Sequence, residues 1–78
     1  MTKIEILGTG CVKCKRLFAN TEQAVKELNI TVELVKIEKI DEITDRGVMM
    51  TPALIINNEI AVEGRVPDVK EIKAMLTE

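Results

Sequence analysis

The chain holds two cysteines, Cys11 and Cys14, three positions apart and directly after the turn Gly8-Thr9-Gly10. A disulfide between them would close a very small loop, for which the chain-entropy contribution is only about 2 kcal/mol. So weak a staple, placed on a turn, is better explained by reactivity than by stability. Two chemistries suit a pair of thiols at this spacing: thiol–disulfide exchange and soft-metal binding. A structural zinc site fits poorly, because zinc takes four N or S ligands and the chain has two cysteines and no histidine. Only a dimer sharing two pairs would complete it.

The surroundings favour a reactive thiolate. A helix beginning near Thr9 or Gly10 places Cys11 in its first turn, where unpaired N–H groups and the positive end of the helix dipole stabilise negative charge. Lys13, Lys15 and Arg16 add positive potential, although as a group they also read as a solvated helix face. A lowered pKa raises the fraction of thiolate, the species that attacks disulfides. Cys11 is therefore expected to titrate below the value of about 8.5 of a free thiol. Cys14, one helical turn further on, faces inward with Leu17 and Phe18. The expected roles are Cys11 as nucleophile and Cys14 as the resolving thiol that releases reduced product.

These thiols need elements to hold them. Lys3 to Leu7 reads as a buried strand stopped by Gly8, and Leu17, Phe18, Val25 and Leu28 keep helical spacing up to a stop at Asn29. Ile30 to Ile37 is β-branched and reads as a second strand. Lys39 to Arg46 predicts a short helix ended by Gly47. Ala53 to Ile56 and Ile60 to Val62 flank Asn57-Asn58-Glu59, a hairpin signal because Asn tolerates positive φ. Asp68 followed by Glu71 has the spacing of a capping box, ahead of a stripe of Val69, Ile72, Met75 and Leu76. The order β-α-β-α-β-β-α begins with a right-handed parallel crossover and adds an antiparallel hairpin. It predicts an α/β fold with a four-stranded mixed sheet and three helices covering both faces. A second signal lies in Thr51-Pro52, where a proline opens a strand and its missing N–H spares a ladder bond.

Composition narrows the function. Residues 1–78 are expected to form a single domain. With 46% hydrophobic residues and Phe18 as the sole aromatic, the core must be aliphatic. Eleven basic against 13 acidic residues give a net charge of −2. Scattered cations and no aromatic beyond Phe18, which belongs to the helical apolar stripe, argue against nucleic-acid binding. The N-terminus lacks a secretory pattern, and no apolar run reaches the roughly 20 residues of a membrane span. A cytoplasmic protein is expected, and in that compartment a close cysteine pair is more often catalytic or metal-binding than structural.

On Gly8-Thr9-Gly10-Cys11-Val12-Lys13-Cys14, Gly47-Val48, Thr51-Pro52-Ala53-Leu54 and Gly64, the whole chain resembles the small, glutaredoxin-sized members of the thioredoxin superfamily. The resemblance implies a thioredoxin-like fold and a protein-disulfide oxidoreductase serving electron transport through a redox-active Cys11–Cys14 disulfide, with no other cofactor and no metal. It implies that Pro52 is a cis-proline packed against the cysteine pair. The Thr51 backbone would then pair with an extended substrate segment; Met49 and Met50, beside the proline, suit adaptable apolar packing or substrate contact better than metal ligation. Expected partners are disulfide-containing proteins and an upstream reductase, with no nucleic acid or membrane, the protein acting as a monomer.

The chain also departs from the pattern. It has no Trp before Cys11, no Pro between the cysteines and no Tyr. Gly64 and Asp68 echo glutathione-binding positions only in part, and Asp68 reads as a helix cap. Glu5 stands where thioredoxins carry a buried Asp, and could relay a proton to Cys14; the plainer reading is a solvent-facing strand residue in a salt bridge. Lys13 and Glu5 are thus candidate modulators. Two alternatives use the same cysteines. A copper chaperone would run β-α-β-β-α-β and end in a strand, whereas the tail here reads as helix. A redox-sensing module would react stoichiometrically rather than turn over.

Overall fold

The computed structural model describes residues 2–10 and 12–77. In chain order the elements are β1 (Thr2–Leu7), α1 (Val12–Leu28), β2 (Val32–Ile37), α2 (Ile40–Asp45), β3 (Ala53–Ile56), β4 (Glu59–Glu63) and α3 (Val69–Leu76). The strands form one sheet in the order β2-β1-β3-β4. β1 runs parallel to β2 and antiparallel to β3, and β3 pairs antiparallel with β4. This is the mixed sheet and element order expected from the sequence.

Alternation along the strands sorts the core into two layers. On one face, Ile4, Ile6, Leu54 and Val62 pack with Leu17 and Ala24 of α1 and Ile72 of α3. On the other, Leu7, Ile37, Ala53 and Ile55 pack with Ile43 of α2 and with Val48. Central β1 is consequently apolar on both faces toward its C-terminal end, as a strand covered from both sides must be. Thr21, buried within α1, donates its hydroxyl to the Leu17 carbonyl at 2.8 Å, which satisfies it without disturbing the apolar layer.

Chain reversals set the element ends. Asn29 adopts φ 54°, with Ile30 N–H bonded to the Val25 carbonyl and Asn29 N–H to that of Lys26. This pattern closes α1 as a Schellman motif. It also explains why β2 begins at Val32 and not at Ile30: the Ile30 amide is used by the helix end and is not available to a ladder. Gly47, at φ 78°, follows α2 as expected. Asn57 and Asn58 have φ 50° and 68°, the paired left-handed residues of a tight hairpin. The Asn57 side chain further accepts the Lys3 amide at 2.9 Å, tying the hairpin to β1.

Asp68 caps α3, its carboxylate accepting Glu71 N–H at 2.8 Å. The reciprocal half of the capping box is not formed. Glu71 instead turns to Arg65, which holds both carboxylate oxygens through its two terminal nitrogens. A guanidinium fork outcompetes a single backbone N–H for a carboxylate.

Candidate functional site at the C-terminal end of the central strand

Cys14 lies in the first turn of α1, 6% exposed, on the face toward Leu17. It comes so close to the end of β1 that a Cβ on Gly8 would stand 2.2 Å from its Sγ and 3.0 Å from its own Cβ. Gly8 is therefore required for space. The sequence reading of Gly8 as part of a flexible turn misses this; of that turn, Gly10 is the residue with positive φ, at 88°. The same point on Gly8 is 4.0 Å from Pro52 Cα. Thus the Cys14 sulfur, the end of β1 and the proline meet in one place.

Pro52 is fully buried and the Thr51–Pro52 peptide bond is cis. The loop before it is held from β4, since the Glu63 carboxylate accepts the N–H groups of Met49 and Met50, at 2.5 and 3.1 Å. Gly64 N–H donates to the Pro52 carbonyl at 2.9 Å. Met50 packs over Gly64, where a Cβ would come within 3.2 Å of its methyl group. Glu63 gives no sign of this role in the sequence, because only the β3–β4 register, with Ala53 opposite Glu63, brings it under the loop.

Around this junction the surface is apolar and open: Val12, Ile40, Met49 and Met50 are exposed, Met49 to 91%. Thr51 and Lys13 are also exposed, as are Lys15 and Arg16. Cys11 lies outside the described residues. α1 begins at Val12, the residue that follows it in the chain.

Glu5 differs from its expected solvent-facing position. It is 3% exposed and accepts Arg46 Nε at 2.7 Å, so the salt bridge exists but is half-enclosed. The reason is topological. β1 is central, Glu5 points to the α2 face between Val35 and Ile55, and Arg46 closes over it from the end of α2. Ile6 and Gly8, which adjoin Cys14, point to the opposite face. The sheet thus stands between Glu5 and the thiol to which a relay would have to run.

A family model described as a thioredoxin domain matches residues 2–77. The chain belongs to the thioredoxin family. Among its relatives, a protein named thioredoxin from Methanothermobacter thermautotrophicus is 43% identical over 77 residues, covering 99% of this chain and 100% of that one. Another of the same name, from Methanocaldococcus jannaschii, is 42% identical over 76 residues, covering 97% of this chain and 87% of that one. The chain is a small redox protein of the thioredoxin superfamily. Its element order, β-α-β-α-β-β-α, differs from the β-α-β-β-α-β order of a copper-chaperone domain. No helix among the described residues is long and apolar enough to cross a membrane.

Proposed function

We propose that this thioredoxin-family chain is a thiol–disulfide oxidoreductase that reduces or exchanges protein disulfides through Cys11 and Cys14. The observation that carries the reading is the burial of Cys14 against Gly8 beside Pro52, at the start of α1. A sulfur buried there is shielded from outside oxidants, which suits a resolving role toward a mixed disulfide carried on Cys11. Cys11 attacks the substrate disulfide as thiolate, favoured by the helix start and the cations Lys13, Lys15 and Arg16. The Cys14 thiolate then attacks the Cys11 sulfur, the substrate leaves as thiolate, and the two cysteines end as a disulfide. An upstream reductase resets them.

Thr51, Pro52 and Met50 form the substrate-facing wall. An extended segment pairs with the Thr51 backbone while its apolar side chains rest on Met49 and Met50, whose flexible thioethers suit varied partners. The same reading makes the protein a cytoplasmic monomer needing no metal or further cofactor. Single substitutions test it. Cys11→Ser abolishes insulin-disulfide reduction, and Cys14→Ser accumulates mixed disulfides with substrates, seen as reductant-sensitive bands on a gel. A Cys14→Ser variant that neither traps partners nor loses turnover would overturn the dithiol mechanism. A redox titration with metal analysis of the same sample separates this reading from metal carriage, and turnover separates it from stoichiometric sensing.

A further inference from the structure

Glu5 is turned away from Cys14 and engaged by Arg46, so the proton of the resolving thiol must leave another way. A cavity of about 70 Å³ opens beside Cys14, walled by Ile6, Gly8, Gly10, Lys15, Lys36 and Glu38. That volume admits a few water molecules. The charged groups facing it are Lys15 from α1, Lys36 from β2 and Glu38 just beyond β2; β1 contributes Ile6, with Gly8 just past its end. Of the three, only the carboxylate can accept a proton at neutral pH, since lysine is a donor without acceptor capacity. Its Oε2 lies 3.6 Å from where a Cβ on Gly10 would stand, so it reaches back to the turn that precedes the cysteines. Among the described residues Glu38 enters none of the ion pairs. It is also solvent-exposed, which gives a captured proton an exit. Lys36 is steadied on the cavity wall with its ammonium 4.8 Å from the centre of the Phe18 ring.

We propose that Glu38 accepts, through water in this cavity, the proton that Cys14 gives up when it resolves the mixed disulfide, while Lys15 and Lys36 favour the thiolate left behind. The proposal rests on the dithiol reading above. In the step, the Cys14 S–H proton passes through water to the Glu38 carboxylate. The thiolate forms a bond to the Cys11 sulfur, and the Cys11–substrate bond breaks with its electron pair on the substrate sulfur. The cysteine pair is oxidised by two electrons and the substrate disulfide is reduced by two. Glu38 then loses its proton to solvent or to the departing thiolate.

The test uses the reduced full chain and 5,5′-dithiobis(2-nitrobenzoate). Attack by the first thiol releases one thionitrobenzoate, and resolution by Cys14 releases a second, so the second release is followed against pH. Glu38→Gln is expected to slow it at least tenfold near pH 6.5 and to converge on the wild-type rate at alkaline pH, where solvent base suffices. Glu38→Asp restores part of the loss, and Glu59→Gln, which removes the same charge from the far hairpin, leaves the profile unmoved. Superimposable profiles for wild type and Glu38→Gln overturn the role of Glu38 alone. Absence of a second release from the wild type overturns the dithiol reading, and this proposal with it.

Discussion

At the scale of single residues, two positions decide how tightly the site is built. Gly8 gives the Cys14 sulfur room against the backbone, and any side chain there overlaps it. Gly8→Ala is therefore expected to cost about 1–3 kcal/mol of stability, as overpacking of a filled interior does, read from the denaturant midpoint at unchanged slope. An unshifted midpoint would mean that the sulfur moves aside freely. The second position is the Glu5–Arg46 pair. Arg46→Ala leaves a carboxylate enclosed without its cation, a change that costs about 3–5 kcal/mol in a fully buried pair. Arg46 is 30% exposed, so the expected loss here is nearer 2 kcal/mol, the pair being partly hydrated. The double variant Glu5→Val/Arg46→Met, whose apolar side chains suit the neighbouring Val35 and Ile55, is expected to recover most of it. A double variant as unstable as Arg46→Ala would show that the loss lies in the packing of Arg46. Cys11 and Cys14 stand out in the sequence because two thiols at that spacing, on a turn, suit few roles besides exchange and metal binding. For Gly8 and Glu5 the sequence marks the positions, as a turn glycine and a candidate modulator, but not the roles, which lie in what packs against them.

At the scale of elements, the ends of the helices place the chemistry. α1 is terminated by Asn29, and this sets where β2 can begin and hence which face Lys36 occupies. α3 is anchored at its start by Asp68, and Asn20 of α1 donates to the Pro67 carbonyl just before it at 3.0 Å. Asp68→Ala removes the acceptor for Glu71 N–H and is expected to cost about 1 kcal/mol, whereas Asp68→Gly costs only a few tenths. Thermal melts of the two variants check the order; equal losses would assign the effect to the Asp68 charge and not to its cap. Helix stripes, turn residues and the cap are legible in the sequence, because each is a local matter of periodicity or φ preference. The partner of Glu71 is not: the capping box fits the local spacing, and Arg65 wins it only because the chain bends there.

At the scale of the whole molecule, ion pairs, one of which joins α1 to α3, make stability depend on acid. The Gln23 side chain and Lys73 of α3 hold the Glu27 carboxyl below its ordinary value of 4.5, and Arg65 does the same for Glu71. A carboxyl whose pKa is depressed in the folded state contributes its full stability above the unfolded value. That contribution is lost as pH falls through the lower folded value. The melting temperature is thus expected to decline between about pH 5 and pH 2. A Glu27→Gln/Glu71→Gln variant should show a shallower decline over that range, measured by scanning calorimetry. A slope equal to the wild type would mean that other carboxylates carry the acid sensitivity. Since both pairs are exposed, the difference should also shrink as salt is added.

The amino-acid sequence by itself determined the cysteine pair, the element order and the mixed sheet, because each follows from residue type, period and turn chemistry within a short window. The tertiary structure decided what surrounds the thiol. It seats Cys14 on Gly8 beside Pro52, draws Glu63 under the loop of Met49 and Met50, and puts Glu5 behind the sheet with Glu38 at the cavity in front. Those neighbours come from separate strands and loops, and which of them meet depends on strand register and on which face each residue is turned to. A change of one residue in register reverses that face.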